Sequence, residues 1–403
     1  MRVLHLTPEL PYWPGGSGGA TRQFHLLRRL AELGHEVTVV APVTPAERGA
    51  AAALPAAGVG LRSVARPESR VLETARALAR EPVLAPRAAC VPVLAWQVSV
   101  FWSRLRELAQ GAAAELRPDV LTVEHDNAAA WASDLPPDIP AFLGLQNVGW
   151  HYYENRSRAV GGAARAALRI EARRFRAHDA RWFPRYRALI AVSERDRDDL
   201  VAASPTPVEV VPNGVAADEL VPAGAEGEPD TLLFTGTLSH PPNAEGIRWF
   251  VDEVWPRVRA QRPVARLMVV GRDPTRSVQR LDSAPGVEVV GPVPEMAPYF
   301  ARATAVVAPL RSGGGTRLKI LEALASGRAV VSTDVGCEGL DLEDGAQLLV
   351  ADGAEAFAAA TLRLLDDAAL RERLAASGRE QAKRRYDWRV LGNRLEAVLM
   401  DVV

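Results

Sequence analysis

The segment Pro309–Ser332, PLRSGGGTRLKILEALASGRAVVS, holds the residue types best suited to grip an anion. An apolar strand ending near Pro309 runs into Gly313, Gly314 and Gly315, and a helix begins near Thr316. The free N–H groups and positive dipole end of that helix would point back into the loop, where glycine permits close approach of a phosphate. Arg317 and Lys319 add cations beside it. Glu322, one turn further, offers a carboxylate to a pair of vicinal hydroxyls. The spacing is neither that of a P-loop nor that of a dinucleotide fingerprint, and a glycine loop before an ordinary surface helix is the plainer alternative.

The first half of the chain carries fainter signals. Gly18 and Gly19 precede a helix, either as a ligand loop or as a tight strand–helix turn. Glu124-His125-Asp126 follows the apolar run Val120–Val123, which places His125 and Asp126 at the carboxyl edge of a sheet, where α/β folds bind ligands. Between Arg165 and Arg187 lie eight arginines against only Glu171 and Asp179, interleaved with Phe175, Trp182 and Phe183. That mixture fits an anionic partner such as a lipid-linked acceptor or a membrane surface, or equally a solvated helix face.

These residues must be positioned by a regular frame, and hydrophobic spacing supplies one. Val3, Leu4 and Leu6 read as a strand; Phe24, Leu27, Leu30 and Leu33 recur at helical spacing; Gly34 suits a helix end; Val37–Val40 resume a buried strand. Two parallel strands joined by a helix seed a doubly wound sheet. Further strands are expected at 120–123, 141–145, 189–192 and 208–211. After the Pro- and Gly-rich stretch 221–230 the pattern restarts, with strands at 231–234, 266–270, 287–290, 305–308 and 329–332. Helices are expected at 247–260, 318–325, 354–365 and 388–400. The expected organisation is a domain at 1–215, a linker at 216–230, a second domain at 231–385, and a terminal helix at 386–403 packing back on the first domain.

Composition narrows the class. The 403 residues suit two domains with ordinary cores. A formal charge of -1 argues against a nucleic-acid binder. Cys90 and Cys337 are too far apart in sequence to suggest a ligand pair, and neither a signal peptide nor a membrane span is legible, so a cytoplasmic protein is expected. No carboxylate or histidine cluster suggests a metal.

Together, GGSGGATRQFHLLRRLAELGHEVTVV at the start, AVSERDRDDL, the VVPNGV turn and Glu322-Ala-Leu-Ala-Ser-Gly327-Arg-Ala-Val330-Val331 resemble family 4 of the retaining glycosyltransferases over nearly the whole chain. The resemblance implies the GT-B fold: an α/β pair of Rossmann-like doubly wound domains facing across a cleft. The first would hold an acceptor and the second a nucleotide-sugar donor (UDP-, GDP- or TDP-linked), with no cofactor or metal required. It makes Glu322 the second glutamate of a Glu-x7-Glu motif, on the donor ribose; the first glutamate falls on Gly314 and is absent. The family's basic pair, in a G-R-L-x-x-x-K-G pattern, is also absent, since the chain reads Gly236-Thr237-Leu238-Ser239-His240-Pro241-Pro242-Asn243. Lys319, with Arg317, is expected to supply the lost charge. The family's histidine after the next strand falls on Gln146, with His151 a nearby substitute. A nucleotide-sugar epimerase and a non-catalytic nucleotide-sugar binder stay open as alternatives.

Overall fold

The computed structural model describes residues 1–66, 92–158, 160–220, 227–312 and 318–401. The chain divides into two compact units, one of Met1–Pro212 with the stretch from Leu391 onward, the other of Asn213–Val390. Each is an all-parallel sheet with helices, which burial alone would favour: the strands are Val-, Leu- and Ile-rich on both faces and need cover on both.

In the first unit the strands are β1 (Arg2–Leu6), β2 (Glu36–Val43), β3 (Gly60–Ala65), β4 (Val120–Glu124), β5 (Ala141–Gly144), β6 (Ala188–Ala191) and β7 (Val208–Val210). Their order is β3-β2-β1-β4-β5-β6-β7. The sequence therefore runs outward from β1 in one direction and then, after a crossover, outward from β4 in the other. The helix Gly18–Glu32 connects β1 to β2, capped by the Ser17 side chain, which accepts from the Ala20 N–H. Leu4, Leu6, Val123 and Leu143 are fully buried in its core with Phe175 and Phe183.

The second unit repeats the plan with β8 (Thr231–Thr235), β9 (Arg266–Val270), β10 (Val287–Gly291), β11 (Ala305–Ala308), β12 (Val330–Ser332) and β13 (Leu349–Val350), in the order β10-β9-β8-β11-β12-β13. The direction reverses between β8 and β11. The expected helix at 247–260 begins earlier, at Pro241, with prolines in its first turn where no N–H is lost. It widens into a π turn at Phe250–Val254 just before Pro256, which has no N–H to donate.

The terminal helix Trp388–Met400 ends in residues that belong to the first unit. There Glu396 meets His35 Nε2 at 2.7 Å, and Asn393 accepts from Arg29 at 3.0 Å. Among the described residues no helix is long and apolar enough to cross a membrane.

One expectation fails outright. Phe175 and Phe183, read from sequence as aromatics for a lipid interface, are 1% and 2% exposed and form part of the core of the first unit. They lie on the inner side of the helix Gly162–Trp182 and the turn after it, and helical spacing sends the arginines between them outward. Arg165, Arg169 and Arg173 are exposed on that helix, with Ile170 49% exposed beside them.

Candidate functional site

In an open α/β sheet the crevice for a ligand opens where strand order reverses, beyond the carboxyl ends of the two strands concerned. The first unit has that point between β1 and β4, and the second between β8 and β11. Both collect polar side chains.

Beyond β1 lies Glu9, and beyond β4 lies His125. The imidazole Nε2 of His125 is 3.0 Å from Glu9 Oε1. Gln23 donates to that same oxygen at 3.0 Å, and Ser17 donates to Glu9 Oε2 at 3.0 Å. Burial works against the charge of Glu9, but the hydrogen bonds from His125, Ser17 and Gln23 outweigh it and hold the carboxyl below its ordinary range. Burial likewise opposes a charged His125 ring, yet the bond and charge of Glu9, helped by Glu124 and Asp126, push it up to about 9. The pair is thus an imidazolium–carboxylate ion pair at neutral pH.

The surrounding groups lock this pair in place. Because Gln23 donates its amide N–H to Glu9, its Oε1 accepts from His5 Nε2 at 3.1 Å, which leaves His5 Nδ1 to accept from Thr122 at 2.8 Å. Burial lowers the His5 pKa, in keeping with that neutral ring. From β5, Gln146 donates to Glu124 Oε1 at 2.9 Å. Gly19 lies close against this cluster: a Cβ on it would come 2.5 Å from Glu9 Oε1 and closer still to Gln146 Oε1, so both side chains would have to shift. Arg22, 3% exposed, donates to the carbonyls of Pro212 and Val211 at 2.6 and 2.7 Å. Burial lowers its pKa to about 10 against the opposing charge of Glu124.

Two other candidates are committed to other partners. Asp126 accepts from the Gly149 N–H at 2.9 Å and anchors the start of the helix Gly149–Arg158. Burial, followed by the charge of Asp179, pushes its pKa up to about 7. His151 pairs with Asp199 at 3.2 Å and packs on Trp150; Gln146, not His151, joins the cluster around Glu124. Glu9, Ser17 and Gln23 were missed in the sequence. Glu9 sits among Pro8, Leu10 and Pro11, so it reads as an ordinary loop residue.

In the second unit, Lys319 reaches back from the helix Leu318–Ala325 to the end of β8. Its Nζ donates to Asn243 Oδ1 at 2.6 Å and lies 4.3 Å from the centre of the Phe234 ring. Asn243 in turn donates to the Thr237 carbonyl at 2.9 Å, which fixes its amide the right way round. Gly236, at φ +145°, is the close-approach residue: a Cβ there would come 2.8 Å from Asn243 Nδ2 and 2.9 Å from Lys319 Nζ. Glu322 follows on the same helix, half-buried; burial pushes its carboxyl up to about 7 while the charge of Lys319 pulls the other way. The candidates Gly313, Gly314, Gly315, Thr316 and Arg317 lie outside the described residues.

The model of Glycosyltransferase Family 4 matches residues 16–219, and that of Glycosyl transferases group 1 matches residues 229–367. The chain belongs to glycosyltransferase family 4. Among curated relatives of this family-4 chain, the phosphatidyl-myo-inositol mannosyltransferase of Mycobacterium leprae is 31% identical over 230 residues, 54% of this chain and 60% of that protein. The match thus spans about 60% of the relative's length. In fold the likeness runs end to end. Sucrose-phosphate synthase from Thermosynechococcus elongatus aligns with a TM-score of 0.73 at 18% identity, covering 100% of this chain and 99% of that one. Anabaena Alr3699/HepE, solved in complex with UDP, aligns at 0.68 and 14% identity, covering all of both chains. The fold of the family-4 chain is therefore the GT-B pair of Rossmann-like units.

Proposed function

We propose that this glycosyltransferase moves a sugar from a nucleotide-sugar donor on its second unit to a hydroxyl acceptor on its first, with retention at the anomeric carbon. The observation that carries the reading is Lys319 Nζ, braced by Asn243 and the Phe234 ring against Gly236. A cation is thereby returned to the segment where the family's basic pair is missing. The departing diphosphate needs such a preorganised charge, because it carries the negative charge that develops as the glycosidic bond breaks. Glu322 then takes the ribose hydroxyls and Gly236 lets the phosphates approach; the glycine loop 313–315, Thr316 and Arg317 complete the proposed donor contacts. Gly18, Gly19 and the Glu9–His125 cluster belong to the acceptor side, and no metal or cofactor enters the reaction.

A hexosyl donor is favoured by the relatives, one a mannosyltransferase and another solved with UDP-glucose. A thermal-shift screen of UDP-, GDP- and TDP-sugars, paired with donor-hydrolysis assays, tests the reading. One nucleotide class should raise the midpoint by mass action and be slowly hydrolysed without acceptor. No shift and no hydrolysis with any donor would leave a non-catalytic protein.

The acceptor, in this reading, is a glycan or lipid-linked molecule met at the cytoplasmic face of an anionic membrane. Support comes from the exposed Arg165, Arg169 and Arg173 beside Ile170. Each such cation contributes about 1 kcal/mol near an anionic surface, and salt screens the effect. Co-sedimentation with anionic but not neutral vesicles, lost at high salt, is the expected outcome. Equal, negligible binding at low salt points to a soluble acceptor.

A further inference from the structure

Resting on the transfer reading for its ligand, we propose that His125 is a standing hydrogen-bond donor, through Nδ1, to a hydroxyl oxygen of the acceptor, with Glu9 as the positioning residue that keeps the ring doubly protonated. Three observations converge on it. His125 stands at the switch point of the first unit with one ring nitrogen committed to Glu9, while Nδ1 meets no hydrogen-bond partner among the described residues. The side chain is 24% exposed, so that unused nitrogen is within reach of a ligand. Carboxylate on one nitrogen and substrate on the other is the arrangement by which an orienting acid fixes the proton inventory of a histidine.

The backbone is the third observation. His125 has φ 73° and ψ 139°, a region that residues with a Cβ avoid. Such strain costs on the order of 1–3 kcal/mol and collects at functional sites. A turn alone would be served better by glycine, which adopts this conformation without strain. The imidazole therefore stands there at a cost that its hydrogen bond to Glu9 helps to offset.

The charged groups facing the ring decide both its state and its ligand. They are Glu9 from the β1 loop, Glu124 and Asp126 from its own strand end, and His5 of β1. Arg22 from the first helix acts on Glu124, and Gln23 and Gln146 bring neutral amides. Glu9 offsets His125 and Arg22 offsets Glu124, so the cluster offers a directed N–H without a net positive field. That suits a neutral polyol better than a phosphate. An imidazolium also has no lone pair at neutral pH, so His125 is no base toward the acceptor hydroxyl; its part is to hold that oxygen in line.

The test follows the ring proton signals of His125 by NMR between pH 6 and 8, in the wild type and in Glu9→Gln, alongside steady-state kinetics. The wild-type ring should not titrate in that window. In Glu9→Gln, which keeps a hydrogen-bonding partner but no charge, burial is left less opposed and the ring should titrate at or below its ordinary value of about 6.5. As the protonated fraction drops, kcat/KM should fall at least about 20- to 30-fold from pH 6 to pH 8. The loss should appear in the acceptor KM, with nucleoside diphosphate affinity unchanged. Glu9→Asp, which restores the charge, should recover the flat profile. A wild-type ring titrating near 6.5, or a Glu9→Gln profile as flat as wild type, overturns the proposal. A loss confined to nucleoside diphosphate affinity overturns it too, since the oxygen would then belong to the donor phosphate. The ring titration needs no turnover, so it decides the charge of His125 even if no transfer is found.

Discussion

At the first switch point Glu9 is held below the ordinary carboxylate range by three donors, while at the second Glu322 is raised to about 7. Both stand at the carboxyl end of a parallel sheet where strand order reverses, and both have a cation near them. The difference is hydrogen bonding. Glu9 accepts from His125, Ser17 and Gln23, so its charge is satisfied despite burial. Among the described residues Glu322 feels Lys319 only through space, and burial wins. One unit thus carries an ion pair that neutral pH does not disturb, and the other a carboxyl that titrates near neutral pH. The same fold position can be built for permanence or for exchange, according to how many donors surround the acid.

Removing the cation of the second unit should break that comparison most severely. Lys319→Ala deletes the charge proposed for the diphosphate and is expected to cost about 1.5–3 kcal/mol, or roughly 10- to 150-fold in kcat/KM. Glu322 should then titrate still higher, because the lowering influence of the Lys319 charge is gone. Unchanged turnover and donor affinity would remove Lys319 from the site.

A milder change sharpens the contrast between the two acids. In the proposed ribose contact, the Glu322 carboxylate present above about 7 would accept two hydroxyl donors, whereas the protonated acid below it would accept less well. Nucleoside diphosphate affinity should therefore improve as pH rises from 6 to 8. Glu322→Gln should abolish that slope and weaken the free nucleoside diphosphate as much as the intact donor, by about 10-fold, as for a charged hydrogen bond. Calorimetry at the two pH values measures both, and a loss seen only with the intact sugar donor would move Glu322 to the reacting sugar.

Much of the frame was legible beforehand, because parallel strands buried on both faces write themselves as runs of Val, Leu and Ile: β1, β4, β9 and β11 fall where hydrophobic spacing puts them. Strand β3, GLRSVA, was not legible; an edge strand with Arg62 half-buried and Ser63 exposed carries little apolar signal. The pairing of Lys319 with Gly236 could be suspected only from what the segment lacked, since 83 residues separate the two in sequence. Glu9 left no signal at all, because its partners come from the first helix and from β4, and neither contact is local. The arginine stretch shows the opposite failure: composition suggested an aromatic membrane face, and helical geometry turned Phe175 inward.

The smallest expected effect concerns a third acid, one that neither unit's proposed chemistry uses. Asp179 lies buried beside His178 and near Asp126, and its Oδ2 has no hydrogen-bond partner among the described residues. Burial raises its pKa well above the ordinary value and pushes His178 down to about 4, so in both the charged form is disfavoured inside the fold. The sign of the linkage follows. Below about pH 4 the carboxyl is protonated folded and unfolded alike, but above that the unfolded chain releases a proton that the folded one keeps, so stability falls with rising pH. Asp179→Asn removes this cost while preserving shape. It should raise the melting temperature by a few degrees at pH 8, in line with about 1–2 kcal/mol in a chain of this size, and by less at pH 5. The comparison with Glu9 is direct: Glu9→Gln, stripping a satisfied carboxylate of its imidazolium, should lower the melting temperature where Asp179→Asn raises it. Asp179→Asn destabilising equally at both pH values would mean that the carboxylate is ionised and satisfied after all, as Glu9 is.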